Sequence, residues 1–172
     1  GNIINSTYFG SDQYDQSYFI ELDNDGEVYL FGQSLAPNNT LVFNAVFSQP
    51  NSGQFVCKLS SDLTSLEFST VFGSGSGGID ISPTAFLVDV CDKIYISGWG
   101  SNINGGPLST LNLTFSANAY QSNTDGNDFY LMVVDDALSS LVYATYFGGS
   151  QSGEHVDGGT SRFDKKGIIY QS

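Results

Sequence analysis

Along this chain, short apolar runs with two-residue alternation are separated by clusters of Gly, Asn, Asp and Ser. That period, with its β-branched and aromatic residues, predicts strands. Eight stand out: Tyr18–Asp23, Glu27–Gly32, Gln54–Ser60, Leu66–Phe72, Ala85–Cys91, Lys93–Gly98, Asp128–Asp135 and Leu141–Phe147. "DNDG" (Asp23–Gly26) is a turn signal joining the first two; "SSDLTS" and "DDALSS" join later pairs. No stretch carries a convincing helical period, since "DDALSSL" is too short.

The runs recur. "STYFGS" begins at Ser6, "STVFGS" at Ser69 and "ATYFGG" at Ala144. A second element follows each: "FIELDNDGEVYLFGQS" from Phe19, "FLVDVCDKIYISGWGS" from Phe86 and "RFDKKGIIYQS" from Arg162. A third appears twice, from Phe55 and from Phe129. Fixed self-similarity at this spacing is the mark of a repeat architecture. Four antiparallel strands per repeat is the pattern of a β-propeller blade. The expectation is an all-β fold: a propeller segment of two full blades plus partial ones, with a β-sandwich as the alternative. The repeats run over about 6–72, 69–147 and an incomplete 144–172. Two and a half blades leave open sheet edges. The chain is therefore expected to be one segment of a longer protein, whose missing blades or a partner cover those edges.

Charge narrows the partners. Five basic against eighteen acidic residues give a net charge of −13, which disfavours nucleic acid and anionic membrane surfaces. No run of eighteen apolar residues is present, so no transmembrane helix is expected. Cys57 and Cys91 lack metal-site spacing; buried thiols or one disulfide both fit.

At the repeated residues the chain resembles the SBBP-type β-propeller repeat, whose pattern runs "STYLGG", "VDxxGNVYVTG", "AFVAKL", "LVYSTYLGG". The matching residues are Ser6–Gly10, Leu22–Gly32, Phe55–Leu59 and Leu141–Gly149. Ser82–Gly100 and Gly153–Ser172 resemble segments of very large Bacteroidetes surface proteins. Those proteins carry PKD-like domains and a gliding-motility-associated C-terminal domain. The resemblance implies type IX secretion, an extracellular or outer-surface location, and an adhesin-like role toward proteins or glycans at the cell surface. It also admits a chain caught as a substrate of its secretion machinery.

Candidate chemistry is sparse. "DNDGE" (Asp23 to Glu27) resembles the start of a calcium loop, but position 12 is Ser34 rather than Glu. Its counterparts carry lysines, so a hairpin turn is the expected role. Strand alternation puts the inter-blade loops and the long loops Leu35–Gly53 and Ser101–Asn127 at one end of the blades. Asp12, Asp15, Asp80, Glu154, His155 and Asp157 are then the candidate ligand or cation-binding set, calcium being the cation such a set admits; the alternative is that these acids cap Gly-rich backbone and hydrogen-bond neighbouring blades. His155 lacks a signposted nucleophile and GxSxG is absent, so no catalytic residue is assigned and no other cofactor is expected. A propeller-hosted polysaccharide hydrolase or lyase, using Asp12 with Asp80 or Glu154, is the enzymatic alternative. Trp99, flanked by glycines, is expected to pack between blades or to offer a glycan platform.

Overall fold

The computed structural model describes residues 1–101, 107–156 and 161–170. Among these the chain is all-β, without a helix. Strands β1 (Asp15–Leu22), β2 (Val28–Ser34), β3 (Gln54–Leu59) and β4 (Leu66–Phe72) form one antiparallel sheet in chain order. Strands β5 (Ser82–Val88), β6 (Ile94–Trp99), β7 (Phe129–Val134) and β8 (Leu141–Phe147) form a second with the same order. A two-stranded ribbon, β9 (Arg162–Phe163) with β10 (Ile169–Tyr170), follows.

The registers match between sheets. Gln54 pairs with Phe72 and Phe129 with Phe147. Bulges fall at equivalent points, between Ser17 and Phe19 and between Pro83 and Ala85. The first "STYFGS" lies in a segment (1–14) without strand structure, because no described strand runs beside it to complete a ladder. Its Phe9 instead packs on Phe55, centroids 5.3 Å apart.

Alternation decides which residues face which neighbour. Tyr29, Phe31, Val56, Phe68 and Phe72 point from the first sheet into a shared core with Phe86, Ile94, Ile96, Tyr130 and Met132 of the second. Phe31 is fully buried and sits among Phe19, Phe72 and Phe86 at centroid distances of 6.1, 6.0 and 5.6 Å. Each such ring contributes roughly 2–3 kcal/mol through the apolar area it removes from water. The intervening residues Leu30, Phe55, Cys57 and Val71 face the other way, under Ala36, Leu41 and Val42. On the second sheet the next residue out of phase, Tyr95, meets Phe163 of the ribbon at 5.8 Å. The three sheets thus stack in series.

The long connections fold back rather than project. Residues 43–49 run along the free edge of β4: Phe43 exchanges two backbone bonds with Ser69, and Gln49 N donates to Val71 O. Along β8, Ser116 N donates to Ala144 O and Tyr146 N to Gln121 O. This covering occupies edge groups that would otherwise template further strand pairing. Cys57 is buried and Cys91 is exposed at the β5–β6 turn; both are free thiols. The expectation that both are buried, or joined in a disulfide, therefore fails: a turn that projects into solvent carries Cys91 away from the core that holds Cys57.

Candidate functional site

The tight-turn end of the sheets carries one device three times. In the β1–β2 turn, Asp23 Oδ1 accepts from Asp25 N (3.0 Å) and Glu27 N (2.9 Å). Asp89 Oδ1 accepts from Cys91 N (2.8 Å) and Lys93 N (3.0 Å) in the β5–β6 turn. Asp164 Oδ1 accepts from Lys166 N (2.8 Å) and Ile168 N (3.0 Å) in the β9–β10 turn. The tightest point of each is left-handed, at Gly26 (φ 80°), Asp92 (φ 60°) and Gly167 (φ 77°). Asp23 Oδ2 faces Lys58 Nζ at 3.3 Å. Both carboxylate oxygens of Asp23, the first residue of the calcium-like "DNDGE", are thus held by the protein itself, as a hairpin turn requires.

The opposite end carries a second threefold device. After Phe9, Phe72 and Phe147 the chain turns through a glycine, and an acid five to seven residues on folds back to the turn. Asp15 Oδ2 accepts from Ser11 N (2.5 Å) and Ser11 Oγ (2.9 Å). Asp80 accepts from Ser74 N (2.8 Å) and Ser74 Oγ (2.6 Å). Glu154 Oε1 accepts from Gly149 N (3.0 Å). A glutamine closes the later two turns from the other side: Gln49 Oε1 takes Gly73 N, and Gln121 Oε1 takes Gly148 N, both at 3.1 Å. Asp15, Asp80 and Glu154 therefore occupy matched places in successive loops, each bound to its own loop. Burial raises the Asp80 carboxyl above the usual range, against the lowering effect of the Ser74 bonds.

Asp12 is exposed and accepts from the neighbouring Gln13 side chain at 3.2 Å. His155 and Trp99 do meet, ring edge to ring face, at 5.9 Å and 71°. Trp99 is half-buried and His155 exposed, so the histidine covers part of the indole at the end of β6. Asp157 lies outside the described residues. Among the described residues, no three His, Cys, Asp or Glu side chains converge as metal ligands.

One arrangement was not visible in the sequence reading. Asp128, immediately before β7, is fully buried, and its Oδ1 has no hydrogen-bond partner. Glu154 Oε2 is likewise buried and unpartnered. Both oxygens crowd the same point above Gly148: a Cβ there would overlap Asp128 Oδ1 and lie 2.6 Å from Glu154 Oε2. Asp128 Oδ2 accepts from Gln121 Nε2 at 3.0 Å. Burial raises the Asp128 carboxyl; Thr124 opposes the rise, and the charges of Asp125 and Glu154, with the approach of the Glu154 carboxyl to within proton-sharing reach, add to it. The sequence signal was the change from Gly-Ser to Gly-Gly at 148–149, which removes the adjacent hydroxyl that Asp15 and Asp80 hold and leaves Glu154 a longer bond from Ser152, at 3.4 Å.

No family model matches the chain, and no curated protein matches it significantly. No helix among the described residues is long and apolar enough to cross a membrane.

Proposed function

We propose that this chain is a β-propeller segment of the SBBP repeat type, acting as a non-catalytic binding scaffold in a large secreted or surface-attached bacterial protein. The observation that carries the reading is repetition of structure as well as sequence. Two four-stranded meanders share one register, and three tight turns share one aspartate cap. Stacking of both sheets and the ribbon in series fits blades better than a two-layer sandwich, which has no place for a third layer. The role as an extracellular adhesin, and export by a type IX route, follow from the SBBP and Bacteroidetes resemblance.

The function such a scaffold supports is presentation. The inter-sheet loops are rigidly tied at their bases by Asp15, Asp80 and Glu154, so their tips hold a fixed shape for a protein or glycan. Binding of the purified, labelled chain to a glycan array and to bacterial cell surfaces tests this. Saturable retention on either is expected; absence of retention on both would sink the adhesin reading. Turnover of a polysaccharide panel, abolished by Glu154→Gln, would replace it with the hydrolase.

A further inference from the structure

The three inter-sheet loops differ in one chemical respect. In the first two, a serine hydroxyl and amide face the acid. In the third, Gly149 supplies the amide, the hydroxyl comes from Ser152 at a longer 3.4 Å, and a second carboxylate, Asp128, stands where the first sheet has Gly53. An acceptor has been added where the first sheet has no side chain. Asp128 Oδ1 and Glu154 Oε2 converge on the space beside Gly148, both buried and neither with a donor. Like charges so placed repel unless something positive lies between them.

We infer that Asp128 and Glu154 form a calcium site at the base of the β8–β9 loop. An open cleft of about 570 Å³ is lined by Asp128 together with Gln121, Asn123, Thr124, Asp125 and Ser150, and reaches the pair past Gly148 and Gly149. Its lining offers oxygen donors without sulfur or imidazole, and glycines 148 and 149 leave the approach free of side chains. Calcium takes six to eight oxygens in irregular geometry, carboxylates and water included, so two fixed carboxylates and a wet cleft suit it. Magnesium demands a tighter octahedron. Asp125 at the rim adds to the local negative potential. A proton shared between the two acids would relieve the same repulsion, whereas only a cation would also draw on the oxygens that line the cleft beside Asp128. The site differs from a cluster of Asp12, Asp15 and Asp80, whose geometry ties each acid to a separate place. It does not depend on the adhesin reading, since it concerns the stability of one loop.

The test is thermal unfolding of the chain at neutral pH in EGTA and in calcium at about a hundredfold over Kd. Calcium is expected to raise Tm by on the order of 5 °C. Asp128→Asn and Glu154→Gln should each abolish the rise, while Asp136→Asn, an exposed acid in the β7–β8 turn, should retain it. Terbium luminescence excited through Trp99, the one tryptophan, should appear in the wild type and be displaced by calcium. An equal calcium effect in Asp128→Asn would mean diffuse binding to an acidic surface and overturn the proposal. So would an equal effect of magnesium. A Tm that ignores calcium but climbs on mild acidification in EGTA would put a proton between the acids and also overturn it.

Discussion

Asp80 holds its carboxylate in the space that a side chain on Gly73 would need. Gly73 has φ 151°, and a Cβ there would overlap Asp80 Oδ2. Gly10 repeats the relationship with Asp15, again at φ 151°, with Oδ2 2.7 Å from the Cβ position. The glycine and the acid are one unit. Absence of a side chain lets the carboxylate reach the amide of the next residue, and that bond closes the link between sheets.

Gly73→Ala should therefore destabilise by about 2–3 kcal/mol, combining an unfavourable φ with displacement of a buried carboxylate. Gly75→Ala is the comparison. Its φ is 77°, but the nearest atom to its Cβ position is Pro50 O at 3.6 Å, so only the backbone term of about 1 kcal/mol applies. Urea unfolding of both variants separates the contributions. Equal losses would mean that the Asp80 contact is of no consequence.

How far this unit could be read in advance differs by residue. β4 and β8 were legible to the residue because turn signals bracket both ends. β1 and β5 begin three residues earlier than expected, at Asp15 and Ser82, because their polar starts look like loop and only pairing with Ser34 and Trp99 makes them strand. The folding-back of 43–49 and 114–121 along β4 and β8 could not be seen, since it is sustained by backbone bonds to distant strands. The acids at 15, 80 and 154 were conspicuous as the charge common to three loops. Their engagement with separate turns was one of two readings open in sequence. Asp128 escaped notice because its importance lies in facing Glu154, a relation across the sheet end that no local pattern encodes.

Lys58 links the first turn to β3. Its ammonium pairs with Asp23 at 3.3 Å and with Glu27, and lies 5.0 Å from the Tyr29 ring centroid. The Asp23 side chain is 3 % exposed, so loss of its cation leaves a charge with little water. Lys58→Met is expected to cost roughly 2 kcal/mol. Asp23→Asn keeps an oxygen for the turn amides while removing the charge. The double variant should thus lose less than the sum of the singles, by about 1 kcal/mol. Additive losses in denaturant titrations would show that the pair does not couple.

Acid should act in opposite senses on two aspartates. Burial works to raise Asp135, but bonds from Ser139 and Ser140 outweigh it and hold the carboxyl below 3.8. Its stabilisation is present above that value and is lost as pH falls through the lower folded-state value. Asp80, raised by burial, contributes stability that is present below 3.8 and lost as pH rises through its higher folded-state value. Compared with wild type, Asp135→Asn should become relatively more stable as pH drops below about 4. Asp80→Asn should become relatively more stable as pH rises above that point. Unfolding free energies from pH 3 to 7 measure both slopes, and slopes of the same sign would contradict the assignment.

The last pair of turns puts one residue type in two environments. Leu63 (φ 60°) and Leu138 (φ 48°) both take the left-handed position in the strand 3–4 turns, each donating its amide three residues back, to Ser60 and Asp135. A leucine there carries strain of roughly 1 kcal/mol, because its Cβ crowds the following carbonyl. Leu138 recovers that cost: it is fully buried in the core between the sheets, and its carbonyl accepts from Phe47 N at 2.7 Å. Leu63 is only half-buried and belongs to no core cluster. Asparagine tolerates the left-handed region, so Leu63→Asn should be neutral or stabilising by up to about 1 kcal/mol. Leu138→Asn should cost about 4 kcal/mol, since it empties a core site and buries an amide. Thermal melts of the two variants decide it. Destabilisation of similar size in both would mean that the backbone, and not the core, sets the value of this position.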